Sequence, residues 1–117
     1  MIQTFQDLNV WEKGHSLVLE IYTTTKLFPR EEQFGLISQV RRSATSVCAN
    51  IAEGYKKSNK DFLRFLDIAQ GSLEETKYHL ILSRDLKYCD ADSFERLFNL
   101  CNDVGRMLNA LSRSLRI

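Results

Sequence analysis

The chain is poor in residues that break helices. One proline and five glycines in 117 residues leave long stretches uninterrupted, which favours long helices over many short strands. Cysteine is scarce as well. Cys48, Cys89 and Cys101 are odd in number, widely spaced and never in a C-x-x-C pair, which argues against a disulfide framework or a zinc knuckle. They read as reduced core thiols. Apolar runs stay as short as Leu17-Val18-Leu19 and Leu80-Ile81-Leu82, far below the ~20 residues that span a bilayer. The opening residues Met1 to Asp7 lack the basic and apolar regions of a signal peptide. No membrane association and a cytoplasmic location are the resulting expectations. Neither sign of charge dominates: 16 basic side chains face 15 acidic ones, a net +1, so bulk charge neither marks nor excludes a nucleic-acid binder.

What is present suits one ordinary globular domain over residues 1–117. Hydrophobic residues at 44% and charged residues at 26% argue against disorder and low complexity. Leu8, Trp11, Val18, Ile21 and Tyr22 recur at helical spacing and predict a first helix from about Leu8 to Lys26, ended by Phe28-Pro29. Glu31-Glu32 suit the opening of a second helix, which runs through Leu36, Ile37, Val40, Val47 and Ile51 to about Ala52 or Glu53. Gly54 is read as its left-handed terminator. Ser58 or Asn59 caps a third helix carrying Leu66, Ala69, Leu73, Thr76, Leu80 and Ser83 and ending near Tyr88. Asp90 to Glu95 opens a fourth, on which Phe94, Leu97, Cys101, Val104, Leu108, Leu111 and Leu115 keep a near-heptad spacing to the C-terminus. Short links then make an all-α, antiparallel, up-down-up-down four-helix bundle. Its expected core holds Trp11, Val18, Ile21, Val40, Val47, Ile51, Leu66, Ala69, Leu73, Leu80, Leu97, Cys101, Val104, Leu108 and Leu111.

Signatures of chemistry are thin. A di-metal carboxylate bundle needs two Glu-x-x-His pairs; Glu12 and His15 supply one, but His79 has Thr76 three residues before it and Glu75 four before. His15 reads instead as a partly buried, hydrogen-bonded neighbour of Trp11 and Val18. No phosphate loop, nucleophile elbow or zinc-protease helix occurs, and neither histidine follows an arginine at the spacing some helical-bundle ribonucleases use. The reading is therefore non-enzymatic, with no catalytic residue, metal or cofactor.

Charge is segregated along the chain: residues 1–40 sum to −2, 41–64 to +4, 65–103 to −4 and 104–117 to +3. Arg41, Arg42, Lys56, Lys57, Lys60 and Arg64 flank the second-to-third helix turn and form the candidate surface for RNA or DNA phosphates, with Arg106, Arg113 and Arg116 adding positive charge on the last helix. The alternatives are a solvated surface with helix-end dipole matching, or pairing of Arg41-Arg42 with Glu74-Glu75 within or between subunits. Ala44, Cys48 and Ala52 form a small-residue ridge which, with Asn50 and Glu53, is the candidate oligomer interface. The same ridge equally suits packing within one chain.

Five segments carry a family likeness: Phe5 to Trp11, Phe28 to Glu31, Gln39 to Ala44, Asn50-Ile-Ala-Glu-Gly54 and Ile68 to Glu75. In this order and spacing the chain resembles the bacterial four-helix-bundle proteins associated with intervening sequences in 23S ribosomal RNA genes. Their relatives include the accessory variability proteins of diversity-generating retroelements. The resemblance implies the bundle, a homo-oligomer in the form of a pentameric ring, and basic surfaces directed at RNA and a reverse transcriptase. It supplies no catalytic residue. The function classes in view are a nucleic-acid-binding oligomer, a protein-interaction scaffold without nucleic-acid affinity, and a metal-binding or enzymatic bundle.

Overall fold

The structure, a computed structural model, describes residues 1–116. Four helices, α1 (Asn9–Thr25), α2 (Leu36–Gly54), α3 (Asn59–Asp85) and α4 (Ala91–Leu115), account for most of it. Single 3-10 turns at Phe5–Asp7 and Arg30–Glu32 precede the first two. Each helix packs against its two neighbours in the cyclic order α1, α2, α3, α4. At 1.5 Å per residue the 27 residues of α3 run about 40 Å, close to the 45 Å long axis of the molecule.

The sequence places the helix starts well where a side chain caps them. Ser58 Oγ accepts from the Asp61 N–H at 3.2 Å and Asp90 Oδ1 from the Ser93 N–H at 2.7 Å, satisfying donors that each first turn would otherwise leave open. The second helix departs from expectation. Arg30–Glu32 makes only a 3-10 turn, and Gly35 (φ −110°, ψ −111°) breaks the helical path before Leu36. Glu32 still serves the helix from outside: its Oε1 accepts the Leu36 N–H at 3.1 Å and its Oε2 accepts the Tyr88 hydroxyl at 2.9 Å.

Gly54 also differs from its reading. It is helical, not left-handed. What it provides is room, since a Cβ there would stand 2.7 Å from Phe65 Cβ and 2.9 Å from Phe62 Cδ1. The left-handed residue is Lys87 (φ 64°), just past the end of α3. Its N–H reaches Arg84 O, and the Tyr88 N–H reaches Ser83 O, each at 2.9 Å, the paired bonds of a Schellman ending. Lysine bears a Cβ penalty here that glycine avoids. Lys87→Gly is expected to stabilise the fold by about 1 kcal/mol, read as a higher urea midpoint at unchanged m.

Every expected core residue is buried except Trp11 and Leu111, which are half-buried and pack against the same cluster. A smaller cluster of Phe28, Leu36 and Ile37, with Leu82, Tyr88 and Cys89 against it, closes the end of the bundle that bears the α1–α2 and α3–α4 connections. The extensive α2–α3 seam contains hydroxyl pairs, Ser43 with Thr76 and Ser46 with Ser72, each at 2.8 Å. Each hydroxyl of the Ser43–Thr76 pair also has a backbone acceptor in its own helix, Val40 O at 3.2 Å for Ser43 and Ser72 O at 2.9 Å for Thr76, so either can donate to the other. Cys48 and Cys101 are buried, whereas Cys89 is only half-buried. Burial pushes the Cys48 thiol up to about 11 and the Cys101 thiol up to about 12, which removes both as thiolate nucleophiles near neutral pH.

Candidate nucleic-acid interface

The basic residues separate into two groups. Lys56 and Lys57 lie in the tight turn between α2 and α3, where the Lys57 N–H bonds to Gly54 O at 3.0 Å. Lys60 and Arg64 follow on the first turns of α3, and all four side chains are exposed. Among the described residues, Lys56, Lys57 and Lys60 form no ion pair. Arg64 is partly engaged, 3.7 Å from Asp61. Lys57 Nζ lies 5.8 Å from the centroid of the Phe65 ring, within cation–π range. Because α4 runs antiparallel to α3, its last turn returns to this same pole and brings the exposed Arg113 and Arg116 with it. Arg106 is one step further away and is paired with Asp103.

Arg41 and Arg42 do not join that pole. Fourteen or fifteen residues of helix separate them from Lys56, roughly 20 Å. Arg41 ties α2 to α1: its Nε donates to Thr25 Oγ1 at 2.9 Å, its Nη2 to Tyr22 O at 3.4 Å, and its guanidinium lies 4.4 Å from the Tyr22 ring centroid. Arg42 is exposed and free of ion pairs among the described residues. The considered pairing with Glu74-Glu75 does not occur within the chain. Glu74 instead holds Lys77 at 3.0 Å, and Glu75 meets His79 Nε2 at 3.1 Å. Tyr22, placed by its spacing on the apolar face of the first helix, is 38% exposed beside Arg41.

The candidate oligomer interface is also divided. Ala44 (1% exposed) and Cys48 (8%) are buried in the chain's own core. Cys48 packs against α1, where its Sγ lies 3.1 Å from the place a Cβ on Gly14 would occupy. Small residues are needed there because α1 and α2 approach closely. Ala52 is half-buried and Glu53 exposed. Asn50 Nδ2 donates to Ser46 O at 2.8 Å and Ser46 Oγ at 3.1 Å.

His15 is exposed, not partly buried, and stacks on Trp11 with ring centroids 5.0 Å apart. His79 lies on α3, bonded to Glu75. Among the described residues no three histidine, cysteine or carboxylate side chains gather as metal ligands would. Nor, among the described residues, is any helix long and apolar enough to cross a membrane.

The family model of the 23S rRNA-intervening sequence proteins matches residues 6–110. The chain belongs to that family. The match takes in α1 to α3, α4 up to Ala110, the basic α2–α3 turn and nearly all of the quoted segments; Arg113 and Arg116 lie beyond it. A solved structure, a protein of unknown function from the S23 ribosomal protein family from Bacteroides thetaiotaomicron, superposes with a TM-score of 0.81 at 28% identity. The likeness covers 88% of this chain and 97% of that one. No curated protein matches the sequence. Membership in the intervening-sequence family carries the bundle fold, and a fold by itself transfers no activity.

Proposed function

We propose that this intervening-sequence family protein is a non-enzymatic, cytoplasmic, homo-oligomeric binder of nucleic-acid phosphates. The observation that carries the reading is the pole formed by Lys56, Lys57 and Lys60, free of ion pairs among the described residues, with Arg64, Arg113 and Arg116 at the same end. Unpaired, exposed cations release counterions from phosphates without first breaking an internal salt bridge. A pentameric ring, the assembly implied by the resemblance, would repeat this pole around one axis and build a strong positive field from nearly neutral protomers. Binding is then sequence-tolerant and steeply salt-dependent. A reverse transcriptase as partner is compatible with such a ring, and an adjacent reverse-transcriptase gene would favour it.

The test replaces Lys56, Lys57 and Lys60 together by glutamine. Anisotropy titrations with a mixed-sequence RNA duplex at low salt are expected to show affinity falling about tenfold or more, with the log–log salt slope reduced by about 2–3. Helicity and sedimentation stay unchanged, because all three side chains are exposed. Duplex binding that is undetectable in the wild type, or unaltered in the variant, overturns the assignment and favours a protein scaffold.

A further inference from the structure

At the other end of the bundle, between the last turns of α1 and the first turns of α2, lies an open concavity of about 460 Å³. Tyr22, Gln33, Phe34, Ile37, Arg41 and Arg42 are among the residues that line it. A second hollow shares Gln33, Ile37 and Arg41 with it and adds Lys26 and Arg30. No carboxylate lines either one. Of the two acids adjacent in sequence to the lining residues, Glu32 is held by the Leu36 N–H and the Tyr88 hydroxyl, and Glu31 is exposed on the 3-10 turn and lines neither hollow.

Two features of this hollow are out of place on an inert surface. Phe34 is 90% exposed, an aromatic ring left in water on the connection between two helices. Arg41 is already oriented, with one guanidinium edge bound to Thr25 and Tyr22 and its plane beside the Tyr22 ring. Its other N–H donors remain open, and Arg42 sits next to it without an ion pair among the described residues. Cations, an exposed aromatic face and an amide are the groups that hold a phosphate and a base together.

We infer that this α1–α2 hollow takes one unpaired nucleotide of a single strand, its phosphate on Arg41 and Arg42 and its base against Phe34. The inference rests on the nucleic-acid reading above and gives it a second site with a different preference. A duplex keeps its bases stacked and offers Phe34 nothing, whereas a splayed base has a free π-face. An acidic peptide would satisfy the arginines but leave Phe34 exposed. At about 460 Å³ the hollow falls in the range of small-ligand pockets, enough for one nucleotide with the strand continuing over the rim.

The experiment compares a short oligouridylate with a mixed-sequence RNA duplex by anisotropy, using the wild type, Phe34→Ala, Arg42→Gln and the Lys56/Lys57/Lys60 triple glutamine variant. Both single substitutions are at exposed side chains, so folding is preserved, and circular dichroism checks it. Phe34→Ala is expected to weaken oligouridylate binding about fivefold or more while duplex binding is unchanged. Arg42→Gln weakens the single strand as well, and ultraviolet cross-links to the oligouridylate fall on Tyr22 or Phe34. If Phe34→Ala leaves oligouridylate binding intact while the lysine triple reduces duplex binding, the hollow is not a nucleotide site and the basic pole stands. Equal losses on duplex and single strand also overturn it. So does displacement of oligouridylate by polyglutamate with Phe34-dependent polyglutamate binding, which assigns the hollow to an acidic peptide. No binding of either RNA by the wild type removes the nucleic-acid reading and the inference together.

Discussion

Leu73→Ala is expected to lower the unfolding free energy by about 2–5 kcal/mol, the range for truncating a buried leucine. Leu73 is 2% exposed at the middle of α3. Across the seam stands Gly105 of α4, and Leu73 Cδ2 lies 3.4 Å from where a Cβ on that glycine would be. The leucine therefore fills space that the glycine of the partner helix leaves open, and truncation creates a void at that contact. For a chain of this size, whose whole stability is of order 10 kcal/mol, such a loss is a large fraction. Gly105→Ala gives the test a second arm. Its methyl would lie at ordinary contact distance in the wild type and would enter the void in Leu73→Ala, so the alanine should be about 1 kcal/mol more favourable in the truncated background. Denaturant titrations at one fixed protomer concentration measure the cycle, since assembly shifts apparent stability. A cost below about 1 kcal/mol for Leu73→Ala, or no coupling to Gly105, would place Leu73 outside a packed α3–α4 seam.

The stripe that contains Leu73 was legible because its spacing repeats over several turns, and only one phase of a long helix buries Leu66, Ala69, Leu73 and Leu80 together. The caps at Ser58 and Asp90 were legible for a similar reason, being local side-chain-to-backbone chemistry. The start of α2 was not. Glu31 and Glu32 have the composition of a first helical turn, but Gly35 breaks the path and Glu32 caps Leu36 from beyond it. Likewise the small residues Ala44 and Cys48 signal that something approaches α2 closely, and sequence does not distinguish α1 of the same chain from a neighbouring subunit.

The basic pole was partly legible. Lys56, Lys57 and Lys60 are close in sequence and share a turn, so their proximity is local. Arg113 and Arg116 arrive only through the antiparallel return of α4, and Arg41 and Arg42 depart because a straight helix carries them roughly 20 Å away. Phe34 left no periodic signal because it lies on a connection. Tyr22 gave a misleading one: it follows Val18 by four residues, yet it sits at the edge of the apolar face, where Arg41 covers its ring.

Gly54→Ala is expected to destabilise the fold by about 1–3 kcal/mol, although alanine is the better helix former by about 1 kcal/mol. The sign is decided by what the new methyl meets. Phe65 Cβ, 2.7 Å away, is bonded directly to the α3 backbone, so relief requires the two helices to move apart and not merely a rotamer change. Gly71→Ala supplies the opposite case in the same seam's outer helix: a Cβ there meets nothing within 4 Å, and the substitution should stabilise by about 0.5–1 kcal/mol. Equal stabilisation by both alanines in denaturant titrations would mean that α2 and α3 do not approach as closely as described. The consequence reaches the basic pole, because Gly54 begins the turn that carries Lys56 and Lys57, and Phe65 bears the Lys57 ammonium on its ring face. Displacing α3 displaces those cations from one another. Gly54→Ala should therefore weaken duplex RNA binding under conditions where the variant is fully folded, while Gly71→Ala leaves it unchanged.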